Sequence, residues 1–339
     1  MDNKMPWIIA GIFGLFVAGA IVWVVFFPQP TPPNSETTRA GMLTIQRPAE
    51  PITLILPAAP SGGADAGDHY AAAIKARQDY RKPINDVIAH MRDIMATPPK
   101  YTLTDADLAL LKRVADPIAA GAAQAKMTYY FRLTPKEMAP PFNPAAALAF
   151  QEIADVPMVL TYQHVANGAA EYPQAEKRLF ELLTIGYHLM AERARLDIVR
   201  CGLGLQGAAC DLLEQLYGKW DKPDRRKQVQ AYRRGLLEMR GVYSDLKMVT
   251  RKLVKHEGAL TLHPGNIFNL AENHADRCVR VEAIIGLGMV KMTCTGRGDR
   301  RYAWKLIRKY LADGDPIEQA AARVAEAMDQ KVLDRWTSQ

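Results

Sequence analysis

The sequence predicts a mostly α-helical protein with one N-terminal transmembrane helix, a Pro-rich linker and a body of stacked helical hairpins. Three observations support this prediction: an uncharged apolar segment near the N-terminus, a run of prolines after it, and repeated helix-start and helix-stop signals from residue 65 onward. The composition, 49% hydrophobic and 23% charged, excludes wholesale disorder. A mean hydropathy of −0.14 excludes a polytopic membrane protein.

The predicted transmembrane helix is the segment 7–27, which follows a short N-terminal tail, residues 1–6. Its 21 residues carry no charge. A helix of that length spans about 30 Å, the thickness of the hydrocarbon core, and Pro28 then stops it. A cleaved signal peptide is the alternative, because the small residues 18–20 resemble a cleavage site. We favour an uncleaved anchor, since seven more apolar residues follow that site.

A weak charge bias orients this anchor. Lys4 and the terminal amine precede the helix, and the first basic residues after it are Arg39 and Arg47, well beyond the apolar segment. The positive-inside rule therefore predicts a cytoplasmic N-terminus and an extracytoplasmic body. The expected location is the membrane, with a single pass.

The predicted linker covers residues 28–64 and contains eight of the 22 prolines. Proline removes backbone donors and favours extended geometry, so this segment is predicted to be a semi-rigid spacer. Two short apolar runs interrupt it, residues 42–45 and 52–56. Each is expected either to form a strand or to lie along the body.

The body is predicted to be helical over residues 65–256. Asp65 or Asp68 can cap a first helix, and Thr104 can cap a later one that has acidic residues in its first turn. The prolines at 98–99 end the helix before it, because neither can donate a backbone hydrogen bond. Helices of about 15 to 30 residues joined by short loops predict stacked hairpins.

The C-terminal part, residues 264–332, contains the pattern D-x-x-V-R-x-x-A-x-x-x-L-G, which begins at Asp276 and ends at Gly288. A degraded second copy begins at Asp315, 39 residues later, which is close to the period of paired-helix repeats. The pattern resembles a HEAT-type helical repeat over about residues 276–329. The resemblance implies HEAT-like stacked helix pairs and a protein-binding function. It does not imply a catalytic activity.

Motifs for catalysis, cofactors and metals are weak. Residues 202–207 match G-x-G-x-x-G, but helix-like sequence lies on both sides, whereas a dinucleotide site needs a preceding strand. The zinc-protease pattern that begins at His256 fails at Leu260, where the second histidine belongs. Histidines and acids over 256–276 are interpreted as loop and cap residues, with a metal site as the alternative. We therefore expect no catalytic residue, no cofactor and no metal.

The four cysteines are expected to be buried free thiols. A bridge between Cys201 and Cys210 is the alternative, and it requires a turn at the glycines between them. Cys278 and Cys294 are predicted to lie on one helix, too far apart to bridge.

The stretch 219–255 carries twelve Lys or Arg against four Asp or Glu, a local charge of +8, and also an apolar helical face. A basic amphipathic helix can contact an acidic protein, anionic lipid or an anionic wall polymer. An extracytoplasmic body meets little nucleic acid, so none is expected. The alternative is a solvated face. The candidate contacts are the densest basic residues: Arg225, Arg226, Lys227, Arg233, Arg234 and Arg240.

These features predict a membrane-anchored, non-enzymatic helical scaffold or adaptor that binds another envelope protein. The alternative is an extracytoplasmic enzyme that acts on an envelope polymer, with acidic or histidine residues brought together in a helical cleft. A further possibility is that the basic helix docks onto an anionic bilayer.

Overall fold

The computed structural model describes residues 54–56, 59–94, 96, 99–128, 145–253 and 263–329, all within the compact unit Gln46–Gln339. Of these residues, 81% lie in helices, which confirms the mostly α-helical prediction. The predicted anchor, residues 7–27, lies outside the described residues, as does most of the predicted linker. Among the helices that are described, none has both the length and the apolar character needed to cross a membrane.

The N-terminal part of the body pairs two short parallel strands beside a group of helices. The elements, in chain order, are β1 (Gly62–Asp65), α1 (Ala66–Asp79), α2 (Arg81–Ala89), α3 (Met91–Ile94), α4 (Asp105–Ala122) and β2 (Gln124–Lys126). The strands pair with Gly62 opposite Gln124 and Asp65 opposite Lys126. As predicted, Asp65 caps α1 by accepting from the Gly67 N–H, and Thr104 caps α4 in a capping box.

The last residues of the predicted linker take part in the body, because β1 begins at Gly62. The Gly62 N–H donates to the Ala123 carbonyl oxygen at 2.9 Å, which ties the end of the linker to the body. Further upstream, Ile55 and Leu56 line a cavity of about 210 Å³ with Phe180 and Val229. This part of the second apolar run therefore lies along the body and does not form a strand.

Four longer helical segments form the middle of the body. They are α5 (Ala145–Ala166), α6 (Tyr172–Glu192) after a short 3-10 turn, α7 (Leu196–Lys219) and α8 (Pro223–Leu253). The α6–α7 pair forms the tightest packing, because two glycines let the backbones approach. A Cβ atom on Gly202 would lie 2.5 Å from the Gly186 carbonyl oxygen. Gly186 and Gly202 are therefore used for helix packing.

The C-terminal part of the described body consists of two helix pairs. They are α9 (Pro264–Asn273) with α10 (Arg277–Thr293), and α11 (Arg297–Asp313) with α12 (Pro316–Ala327). Helices α10 and α12 pack closely, and a Cβ on Gly288 would lie 2.9 Å from the Ala325 backbone. Asp276 and Asp315, the first residues of the two copies of the pattern, cap α10 and α12.

Ion pairs connect the N-terminal ends of α7, α10 and α12. The pairs, by nitrogen–oxygen distance, are Arg195 with Glu282 at 3.0 Å, Arg277 with Asp315 at 3.2 Å and Arg280 with Glu318 at 2.9 Å. The first pair is fully buried, and burial raises the pKa of Glu282 even though Arg195 acts against it. These contacts fasten the two C-terminal helix pairs to each other and to α7.

Candidate functional site

The six basic residues predicted to contact a partner lie on α8, and their side chains are exposed or half-buried. Three of the six bind carboxylates on the neighbouring helices α6 and α7. These pairs are Arg225 with Glu176, Arg226 with Glu214 at 3.3 Å and Arg233 with Asp211 at 2.8 Å. Tyr217 also donates to Glu176, at 2.6 Å. Half of the predicted contacts thus hold α8 against the body.

The other three predicted contacts are exposed. Lys227 and Arg234 form no ion pair with any residue that the structure describes. Arg240 is exposed on the same helix. The six side chains therefore do not form one uninterrupted surface, because the carboxylates of α6 and α7 neutralise part of the stretch.

A second basic surface lies on α11. This helix carries six Lys or Arg against two Asp, a formal charge of +4 over 17 residues. All six cations are exposed: Arg297, Arg300, Arg301, Lys305, Arg308 and Lys309. Among the described residues only Lys309 has an ion partner, Glu272, at 3.9 Å. We call the exposed row Arg297, Arg301, Lys305 and Arg308 the α11 row.

Two aromatic side chains flank the α11 row. Trp304 is half-buried, with the Lys291 Nζ 4.8 Å and the Arg308 guanidinium 5.8 Å from its ring centroid. Tyr302 packs edge-on against Phe268 of α9, with 4.9 Å between ring centroids. Cation–π contacts of this kind hold cations above aromatic rings and restrict their motion. On α11, the Trp304 ring therefore restricts the motion of the Arg308 guanidinium.

Helix α11 takes this orientation because its apolar residues lie on the opposite face. Ala303, Leu306, Ile307 and Tyr310 are buried, and Tyr310 donates to the Ala271 carbonyl oxygen at 2.5 Å. Sequence reasoning missed this surface because total charge pointed to the longer stretch 219–255. The signal was present as basic residues at three- and four-residue spacing, with carboxylates rare on the same face.

A small cleft lies where α6, β2, α10 and α12 meet. It has a volume of about 200 Å³, and its polar lining includes Lys126, Tyr187, His188, Glu192 and Arg277. His188 is buried, and its Nδ1 lies 2.9 Å from the Tyr70 hydroxyl. Burial lowers the pKa of His188 to about 4, so its imidazole is neutral at pH 7.

The possible cofactor and metal motifs of the sequence that the structure describes lie in helices and helix caps. Residues 202–207 lie within α7, which has helix on both sides of the glycines, and this placement excludes the strand-to-helix turn of a dinucleotide site. His263 caps α9 by accepting from the Gly265 N–H. His256 and Leu260 lie outside the described residues, and within those residues no group of three or more His, Cys, Asp or Glu could hold a metal.

All four cysteines are free thiols, as predicted, and three of them are buried. Burial raises the pKa of Cys201 and of Cys210 to about 12, which keeps both protonated at neutral pH. Cys278 lies within α10 and Cys294 follows its last residue, so the length of the helix separates them.

Fold and surface together define a predominantly helical stack with two basic helices, of which α11 has five of its six cations without an ion partner among the described residues. Comparison with known proteins found no matching protein-family model, no matching curated protein and no matching solved structure.

Proposed function

We propose that the chain is a membrane-anchored adaptor, without catalytic activity of its own, whose helical body binds another protein of the cell envelope. The observation that supports this proposal is the α11 row, whose four cations are exposed and form no ion pair with a described residue. Like charges held on one helix face repel each other, and an acidic partner relieves that repulsion. A docking surface explains the row more directly than fold stability does.

The composition of this surface favours a protein partner. Four of the six cations on α11 are arginines, and Trp304 and Tyr302 lie beside them. Protein interfaces are enriched in arginine, tryptophan and tyrosine, and these residues provide most of the binding energy. Lysine is depleted in such interfaces, and it is the minority cation here.

The stacked helix pairs support the same function. Helical arrays present long continuous faces. Helix α10 packs against α7, α8 and α12, so α9 and α11 lie on the outer side of the C-terminal pairs. We propose that residues 276–329 form a HEAT-like pair of repeats. The cap residues Asp276 and Asp315 at equivalent positions support this proposal.

The proposed anchor is the apolar segment 7–27, and the Pro-rich residues after it are the proposed spacer. In this arrangement the body is extracytoplasmic and is held away from the bilayer by the spacer. Such a tether raises the local concentration of the body near partners in the same membrane.

Among the described residues, the cleft that offers both a histidine and a carboxylate to the alternative, an enzyme that acts on an envelope polymer, is the one at His188 and Glu192. The cleft, at about 200 Å³, is smaller than typical ligand sites. His188 is 1% exposed and is hydrogen-bonded to Tyr70, so a polymer chain cannot reach its imidazole. We therefore favour the adaptor.

Site-specific photo-crosslinking tests the adaptor function. A photoreactive amino acid is placed at Arg301 on α11 or, as a matched control, at Lys227 on α8, in the full chain within its native membrane. We expect the same envelope protein to be crosslinked at Arg301 in independent preparations, and to bind the full chain once purified. A result in which no protein is crosslinked at either position would contradict the adaptor function.

A further inference from the structure

We propose that the segment which docks on α11 is an acidic helix whose carboxylates lie one turn apart. This inference rests on the proposed function, in which the α11 surface binds a protein, and it adds the shape and chemistry of the docking segment. Four further observations support it. They are the spacing of the α11 row, the restricted motion of its cations, the lack of a matching acidic row in the chain itself and the scarcity of exposed apolar side chains on α11.

The α11 row has the spacing of a helix surface. Arg297, Arg301 and Lys305 follow each other at four-residue steps, and Arg308 follows three residues later. These steps place neighbouring cations about 5 to 6 Å apart along the axis, and the whole row is about 16 Å long. A partner helix with acids at i, i+4 and i+8 repeats at the same interval. An extended strand repeats at about 7 Å on one face and loses register over this length.

The chemistry of the row suits carboxylates. Guanidinium groups bind carboxylates with two parallel hydrogen bonds, which fixes both distance and orientation. Arg308 is already held over the Trp304 ring, at 5.8 Å from the guanidinium carbon to the centroid. A restricted cation loses less conformational entropy when it binds than a freely moving one does. The row therefore favours a ligand whose acids are at matching fixed positions.

The chain does not itself contain such a ligand. Nowhere in the 339 residues do three Asp or Glu follow one another at three- or four-residue spacing. The pairs at this spacing, such as Asp211 with Glu214, always end after two acids. Neither a second copy of the chain nor one of its own segments provides an acidic row to match α11. The occupant is therefore a different protein.

The surface around the row does not suit insertion into a bilayer. Interfacial helices bury an apolar face in the headgroup region. Among the described residues, the large hydrophobic side chains that are exposed are Leu108, Leu148, Leu237 and Tyr302. Only Tyr302 is on α11, and its ring packs against Phe268. Helix α11 exposes no large aliphatic side chain, and its rings at Tyr302 and Trp304 pack against neighbouring side chains. The row therefore favours an acidic protein helix over insertion into a bilayer.

Two synthetic peptides test the proposal against the full chain in neutral detergent. Both are alanine-rich helices of the same composition and charge. In one, the glutamates lie at every fourth position and form a row. In the other, they are distributed around the helix. The protein is used as wild type, as the α11 variant Arg301→Glu/Arg308→Glu, and as the α8 control Lys227→Glu/Arg234→Glu, which has the same change in charge. Circular dichroism and thermal unfolding confirm that each variant is folded.

We expect the row peptide to bind wild type about tenfold more tightly than the distributed peptide does. We also expect the α11 variant to lose that difference and the α8 control to keep it. Equal binding of the two peptides, abolished in the α11 variant, would overturn the helical partner and leave the adaptor function intact. In a parallel assay without detergent, binding of phosphatidylserine vesicles through α11, with neither peptide bound, would overturn both.

Discussion

At Gly202, a single hydrogen atom as side chain allows α6 and α7 to pack closely. A Cβ there would lie 2.5 Å from the Gly186 carbonyl oxygen and 3.0 Å from the Leu189 Cβ. The nearby Gly204 on the same helix is exposed, and a Cβ there would have no atom within 4 Å. The two glycines are therefore a matched pair in which only the surroundings differ.

We predict that Gly202→Ala lowers the free energy of unfolding by about 1 to 3 kcal/mol, because the helices must separate to accept a methyl group. Gly204→Ala should raise it by about 0.5 to 1 kcal/mol, since alanine favours the helix. Urea denaturation of both variants measures these changes. Equal effects of the two substitutions would show that the α6–α7 contact is not as close as described.

His188 makes the stability of the body depend on pH. Its pKa falls from 6.5 to about 4 in the fold, mainly through burial, although the backbone of Gln124 acts in the opposite direction. Between pH 6.5 and 4 the unfolded chain therefore binds a proton that the folded chain does not. Stability contributed by this group is complete above about pH 6.5 and declines as the pH falls toward 4.

We predict that wild type loses about 3 kcal/mol more stability than His188→Gln between pH 7 and pH 4. Glutamine can still hydrogen-bond Tyr70, and it does not titrate. The free energy of unfolding of both proteins, measured by urea at each pH, gives the difference, in which the other titrating groups cancel. Parallel pH profiles would contradict a neutral, buried His188.

At the scale of elements, the Arg280–Glu318 pair holds α10 against α12. The Arg280 Nε donates to the Glu318 Oε1 at 2.9 Å, and its Nη1 donates to the carbonyl oxygens of His274 and Ala275. Both side chains are largely buried, so solvent screens this pair less than it screens a surface pair. The pair therefore contributes to the packing of the two repeats.

A double-mutant cycle with Arg280→Met and Glu318→Gln should give a coupling of about 1 to 3 kcal/mol. The matched control is the exposed pair Lys112 and Asp116, whose coupling should be close to the limit of measurement. Chemical denaturation of the single and double variants provides both values. Similar coupling in the two cycles would show that the pair does not fasten α10 to α12.

The two basic helices differ in what their arginines contact. Arg225 on α8 binds Glu176, which is itself mostly buried and also accepts from Tyr217. We predict that Arg225→Glu lowers the free energy of unfolding by about 1 to 3 kcal/mol, because it places two carboxylates together. Arg301→Glu on α11 should have little effect, since Arg301 is exposed and unpaired among the described residues. Thermal and urea unfolding compare them, and similar losses would contradict this distinction.

This contrast shows which properties local sequence determines. The caps at Asp65, Thr104, Asp276 and Asp315 depend on residues within one helical turn, and the structure confirms the two that the sequence predicted, at Asp65 and Thr104. The neutralisation of α8 depends on carboxylates of α6 and α7 that lie 12 to 49 residues earlier in the chain. Charge counting along a single stretch cannot detect such partners, and so it ranked α8 above α11.

At the scale of the whole molecule, the same distinction explains the strands. β1 pairs with β2 about 60 residues later, in parallel, and neither strand shows a hydrophobic alternation. The two strands pair because α1 begins directly after β1, β2 follows the end of α4, and these two helices pack together. No local sequence pattern predicts this packing. The stacking of helices was predictable because amphipathic spacing, caps and prolines recur along the body.

The proposed adaptor function requires that the exposed cations of α11 bind another envelope protein. The most direct measurement is the dissociation constant of the purified partner, identified by crosslinking, for the full chain at low and at physiological salt. We predict that Arg301→Glu/Arg308→Glu weakens binding at least about tenfold and reduces its salt dependence, while Lys227→Glu/Arg234→Glu leaves both unchanged. Equal binding by all three proteins, or a loss confined to the α8 variant, would contradict the claim.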